Sequence, residues 1–171
     1  MARLIDLAVT KVAWVPASVG IANVAAPDVS SELTAAGVKD LGPYLTTNYK
    51  IGMEDSDTVS EKSITETAEI VVPTIQKYSG MLELFRDFTT GAPTAGVDFT
   101  SYFTGASDPG FIVRRTGLPS STAFTAGDVL EVYKFVADPP VFAPGSGSGY
   151  VKGTVKLLPQ GVFSLTAVAV A

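Results

Sequence analysis

The sequence predicts a mainly β protein, an antiparallel β-sandwich or partly closed barrel with one short flanking α-helix. Three observations lead there. The apolar runs are short and rich in β-branched and aromatic residues, and they are cut at close intervals by 16 glycines and 11 prolines. Only one segment carries both a helix start and a helix stop. About seven to nine strands fit between the breaks, which suits two packed β layers. With 171 residues the chain has room for a single domain, 1–171, with a core of its own. No repeat of solenoid period is visible.

In chain order, Val12 to Val15 reads as a first strand closed by Pro16, and Ile21 to Ala26 as a short apolar segment ending at Pro27. The helix is expected over Asp28–Gly37: Asp28 can cap it, Glu32 lies in its first turn, Val29 and Leu33 are four apart, and Gly37 stops it. Asp40 to Gly52 reads as a strand. Residues 53–66, from Met53 to Glu66, are polar and read as a long inter-strand loop, a length that in compact domains usually serves a function. Thr67 to Val72 and Lys77 to Arg86 then read as a hairpin whose joint holds Pro73. Val97, Tyr102 and Phe103 suit either a helical turn or an irregular apolar plug.

Gly110 to Thr116 is a further strand. Asp128 to Asp138 is the strongest one, apolar on both faces and so expected in the interior. Residues 139–149, with Pro139, Pro140, Pro144 and a Gly-Ser repeat, read as a flexible loop. Two last strands, Tyr150–Leu158 and Val162–Val170, are joined in this reading by a hairpin at Pro159-Gln-Gly161. Lys152, Thr154 and Lys156 alternate with Val151, Val155 and Leu157, giving one wet and one dry face.

Composition narrows the function. Lys and Arg number 12 against 17 Asp and Glu, a formal net charge of −5, and no basic stripe is present, so tight DNA binding is disfavoured. Mild acidity does suit a wall that DNA slides past, because like charges repel the phosphates. There is neither cysteine nor histidine. That removes disulfides, thiolate chemistry, histidine-based triads and His-ligated zinc. Mean hydropathy is +0.31 with 17% charged residues, yet no apolar run approaches the roughly 20 residues of a membrane-spanning helix. Asp6 interrupts the only N-terminal stretch that could resemble a signal peptide. The surplus apolar surface is expected to meet other protein chains, first of all copies of itself.

No constellation for catalysis emerges, so no enzyme and no cofactor is expected. Asp55, Asp57 and Glu61 are spaced to suggest calcium but lack the turn glycine of such loops. Gly145 to Gly149 lacks the Lys-Ser/Thr of a phosphate loop. Glu69 and Glu83 read as solvent-facing or lumen-facing charges rather than a carboxylate pair for glycoside hydrolysis. Trp14 reads as a core or interface anchor. Arg114 and Arg115 point to opposite faces of a strand, and one of them could meet an acidic group of a neighbouring subunit.

The segment Thr67 to Asp87, TAEIVVPTIQKYSGMLELFRD, with Gly110 to Arg115 and the strand Asp128 to Asp138, resembles the major tail proteins, or tail tube proteins, of phages with long non-contractile tails, notably those of actinobacteria. The resemblance follows element order along nearly the whole chain. It implies six-membered rings stacked into a hollow tube, with axis-facing strands closing across subunits into one barrel. It also implies that the loop 53–66 reaches the next ring, with Glu54, Asp55, Asp57, Glu61, Lys62 and Glu66 setting register between rings. Glu69 and Glu83 become lumen candidates, and Trp14, Arg114 and Arg115 inter-subunit candidates. The implied partners are further copies of the chain, a tape-measure protein, tail-tip and tail-terminator proteins, and DNA passing without sequence-specific contact. Assembly is expected in the host cytoplasm and residence in the virion, with no added C-terminal immunoglobulin-like domain. A head-tail connector or tail terminator, forming one ring, is the alternative; a cell-surface-binding β-sandwich is the third.

Overall fold

The computed structural model describes residues 8–61, 70–89, 92–93, 98–105, 107–142 and 150–171. Ten strands form: β1 (Thr10–Pro16), β2 (Lys39–Asp40), β3 (Lys50–Glu61), β4 (Ile70–Phe85), β5 (Phe88–Thr89), β6 (Ala92–Pro93), β7 (Asp108–Thr116), β8 (Val129–Ala137), β9 (Val141–Phe142) and β10 (Lys152–Val168). Eight of them make one antiparallel sheet in the order β2-β1-β7-β8-β10-β4-β3, with β9 also on β10; β5 and β6 pair with each other. The mainly antiparallel β architecture is as the sequence predicts.

The sheet curls on itself without closing. Arg114 on β7 donates to the carbonyl of Ile51 on β3, at 3.1 Å. Four ladder steps separate these strands in the sheet order, about 19 Å if it were flat. Only curvature brings them within reach of one side chain. Residues 41–46 run between the two ends of the sheet: Leu41 N–H donates to Val12 O on β1, and Phe85 N–H on β4 donates to Tyr44 O.

Two cores result, one on each face. The concave face buries Val12, Trp14, Ile112, Tyr133, Phe135, Leu82 and Val155 with Phe99 and Phe103; the other face buries Ala13, Val15, Val113, Leu130 and Val132 with Leu33 and Phe124. Strict alternation along β1 and β7 divides their side chains between the two. β8 lies in the interior with both faces largely buried, as its pattern predicts, although Val129 at its start is exposed. Trp14 is packed so closely that a Cβ on Gly110 would stand 2.5 Å from its ring, so only glycine fits there.

Several expected boundaries move. The polar stretch read as the loop 53–66 is, through Glu61, a strand paired to β4, and residues 62–69 lie outside the described residues. The expected hairpin at Pro73 is the single strand β4, with Pro73 opposite Thr58. There β4 borders β3 alone, so the N–H that proline lacks costs no second ladder. The strand expected over 40–52 is broken after Asp40, whose carboxylate accepts from Gly42 N–H at 3.0 Å and turns the chain into Gly42-Pro43, and resumes at Lys50 as the start of β3.

The expected hairpin at 159–161 is instead an irregularity within the 17-residue β10. Pro159 and Phe163 on β10 face Phe135 and Tyr133 on β8, so four residues of one strand span two of the other. Gly161 takes up the bulge at φ 70°, a left-handed conformation open to glycine. The expected α-helix shrinks to one wide turn, Val29–Leu33, closed by Leu33 N–H to Asp28 O and Thr34 N–H to Val29 O. Its cap is as expected: Asp28 accepts from Ser31 N–H at 2.7 Å, and Glu32 folds back to Asp28 N–H at 2.9 Å. Phe99–Ser101 forms a short helical turn that plugs the concave core with Phe99 and Phe103. Within the segment read as a flexible loop, Val141 and Phe142 form β9, and 143–149 lie outside the described residues.

Besides β9, β10 serves two long partners in turn. Lys152 to Leu157 pairs with β4, and from Leu157 onward the strand pairs with β8. Past the point where it leaves β4, β10 bulges against β8 between Pro159 and Phe163, and the hydroxyl of Tyr78 on β4 stands in for the interrupted β8–β10 ladder. It accepts from Gln160 N–H at 2.9 Å and Val162 N–H at 3.2 Å and donates to Lys134 O at 2.7 Å. Tyr78 is 4% exposed, so water cannot replace these bonds. Tyr78→Phe is expected to lower stability by about 2 kcal/mol, because two amides and a carbonyl lose a buried partner; urea denaturation of the variant measures it.

Candidate assembly surface

Beyond Gly80, β3 and β4 part from the rest of the sheet and run on as a two-stranded arm, with Glu54 opposite Lys77 and Val59 opposite Val72. Between arm and β10 lies a cleft of about 560 Å³, lined by Gln76, Tyr78, Leu157 and Pro159 among others. On the arm β3 is mostly polar on both faces, and Val59 with Val72 and Ile75 of β4 are exposed. Among the described residues, β3 has no strand on its outer side along its 12 residues.

Local charge pairs hold the arm's shape. Lys77 Nζ meets Asp57 Oδ1 at 2.5 Å; Ser79 donates to Glu54 at 2.6 Å and Lys50 to the same oxygen at 3.3 Å. The Ser79 bond, then that of Lys50, holds the Glu54 carboxyl below its ordinary range. The ladder breaks register between Glu54 and Asp57, so Asp55 and Ser56 form a bulge. A kinked, charged edge resists casual pairing with foreign strands.

Of the expected register residues, Glu54, Asp55 and Asp57 stand on the arm, and Glu54 and Asp57 are engaged within the chain. Glu61 ends β3, while Lys62, Glu66 and the lumen candidate Glu69 lie outside the described residues. Glu83, the other lumen candidate, sits on β4 with a side chain 15% exposed; Thr46 Oγ1 donates to it at 2.9 Å and Lys152 Nζ lies at 3.2 Å. Bonds from Asn48 and then Thr46 hold its carboxyl below the usual range, outweighing burial.

The three inter-subunit candidates are used inside the subunit. Trp14 is 1% exposed and meets Phe103 edge-on at 5.2 Å within the concave core. Arg115 is 2% exposed. Its terminal nitrogens donate to the carbonyls of Pro119, Thr122 and Ala123 and to Asp128, at 2.8–3.1 Å. One guanidinium thus fixes the loop from β7 to β8. Arg114 pairs with Glu131, which also accepts from Tyr133 Oη at 2.8 Å. Trp14 and Arg115 are thus buried within the subunit, and Arg114 keeps its side chain 21% exposed.

A feature missed in the sequence sits at the far end of β4. The Arg86 guanidinium lies 4.7 Å from the centre of the Phe88 ring and 4.5 Å from that of Phe142, and pairs with the buried Asp98 at 3.1 Å. Tyr150 packs edge-on against Phe85 at 5.4 Å. These residues come from segments far apart in the chain, so only the fold collects them.

Among the described residues the subunit thus has a curled but open sheet, a long bare strand edge and a protruding arm. The family model for phage tail tube proteins matches residues 1–171. The chain belongs to that family and is a structural tail tube subunit, a component of the virion tail that assembles with itself into a tube. A comparison with curated proteins finds no match.

Two buried carboxylates make the subunit sensitive to acid. Burial opposes ionisation of Asp128 and of Asp98, but the bonds from Thr125 and Arg115 to the first, and from Thr100, Arg86 and Asp87 to the second, outweigh it and lower both. Folded values below the unfolded value of 3.8 mean that their stabilisation is present above that pH and is lost as pH falls through the lowered values. Asp128→Asn is expected to cost about 3 kcal/mol near pH 7 by leaving Arg115 buried and unpaired. The gap to the parent should narrow below about pH 4, as thermal melts across the acid range would record.

Proposed function

We propose that the subunit closes into rings, six-membered as the resemblance implies, that stack into a tube around a DNA-conducting lumen, with the β3–β4 arm as the element that joins copies. The observation that carries this reading is the bare outer edge of β3 on an arm that leaves its own sheet at Tyr78. A neighbouring copy's strand laid on that edge satisfies its free N–H and C=O groups and extends the sheet from subunit to subunit. The charges of the arm then set register, with Asp57 and Lys77 near its surface. Glu69 and Glu83 remain the lumen candidates, and the depressed carboxyl of Glu83 keeps its charge in mild acid.

In this reading the tube's DNA passes without sequence-specific contact, and a tape-measure protein, the tail tip and the terminator meet the same subunits. Assembly takes place in the host cytoplasm. The test shortens the arm. Glu54 and Lys77 are register partners, so an Asn-Gly turn in place of residues 55–76 closes the hairpin without disturbing the sheet. The shortened protein is expected to melt as a folded subunit but to form no tubes by negative-stain electron microscopy under conditions in which the parent does. Tubes of normal length from it would remove the arm from assembly. Single closed rings from the parent itself would move the assignment to a connector or terminator.

A further inference from the structure

β10 runs the length of the subunit, and an exposed apolar patch marks each of its ends. At one end Phe142 on β9 faces Gly153 of β10, and Phe88 and Tyr150 stand beside it. Tyr150 is 83% exposed, and Phe88 and Phe142 are exposed as well. At the other end Val129 and Val168 are ladder partners and Val170 follows two residues on, all three exposed on one face. From Gly153 to Val168 an extended strand spans up to about 50 Å. The two patches are therefore opposite poles of one molecule.

We propose that these poles bind each other between copies, the aromatic pole of one subunit seating on the valine pole of the next; the inference rests on the tube reading above. Three features support a second copy as the occupant. The family assembles with itself. Head-to-tail growth needs two different, mutually fitting patches on each subunit, which is what opposite poles provide. The aromatic pole is also pre-shaped: Phe88 and Phe142 flank Arg86, whose charge is already met by buried Asp98, so the rings meet a partner with little ordering left to do. Aromatic side chains fixed in this way are the usual energetic anchors of interfaces.

The chain contains no cysteine, so paired cysteines report this contact directly. The double variant Tyr150→Cys/Val168→Cys carries one thiol per pole, too far apart within a subunit to bond. Oxidised under tube-forming conditions, it is expected to give a ladder of dimer, trimer and longer species on a denaturing gel, while each single variant stays monomeric. Val129→Lys/Val168→Glu, an opposite-charge pair across the ladder at exposed positions, is expected to leave the melting temperature near the parent's and to raise the concentration needed for assembly about tenfold or more. A double variant that builds tubes without a ladder overturns the pole-to-pole contact and leaves the tube reading standing. Dimers from Tyr150→Cys alone overturn it too, since the aromatic pole would then bind its own kind. A parent protein that builds no tubes at any concentration ends both readings.

Discussion

The hydroxyl of Tyr78 decides where this sheet divides. A strand that bulges away from its partner leaves amides and a carbonyl without their ladder, as β10 does against β8 between Pro159 and Phe163, and burying them bare costs more than most single contacts return. Tyr78 meets two such amides and one carbonyl with one oxygen, at 2.9, 3.2 and 2.7 Å. Its ring fills the space beneath, against Tyr133, Phe135 and Phe163. Once that junction holds, β10 is free to follow β8, and the outer half of β4 is free to leave with β3. The arm and the cleft beneath it both follow from it.

The curl of the sheet is the second consequence. With β3 swung round far enough for Ile51 O to accept from Arg114, the concave face closes over the large aromatics and excludes water from them. The convex face is finished differently, by the capped turn at Val29–Leu33 and the loop that Arg115 holds. Charge pairs of arginine thus do structural work in the body of the sheet, Arg114 with Glu131, Arg115 with Asp128 and Arg86 with Asp98. Each pair is set among hydrogen bonds, without which a buried ion pair would cost more than it returns.

Alternation and turn chemistry made β1, β7 and β8 and the cap at Asp28 legible in the sequence, because each is decided by a few neighbouring residues. The long strands were not legible. β4 contains Pro73 and β10 contains Pro159-Gln-Gly161, and local rules read both as breaks; the proline on β4 is harmless only because the strand has left its second partner, a fact of topology. Residues 53–61 looked like a loop because polar side chains occupy both faces, which is also what a ribbon standing clear of the core requires. Arg115 read as an inter-subunit candidate, and its role inside the subunit stayed hidden, because its four backbone and side-chain acceptors come from a loop that the residue itself shapes. The aromatic pole escaped notice for the same reason: Arg86, Phe88, Phe142 and Tyr150 become neighbours only when β4, β9 and β10 lie side by side.

A subunit made to polymerise must also remain single until the proper moment, and the two kinds of surface here meet that demand in different ways. A bare strand edge is the more dangerous, since any extended chain can pair with it. This one carries Glu54, Asp57 and Lys77 in local pairs and a bulge at Asp55-Ser56, so only a strand of matching kink and charge fits along it. The apolar poles are safer, because each is small and the two lie on opposite ends, where one subunit cannot satisfy itself. In the assembly proposed above, specificity belongs to the arm and adhesion to the poles, an arrangement that favours ordered assembly over aggregation: weak apolar contacts gain strength only when several are made at once, after the edges have aligned the copies.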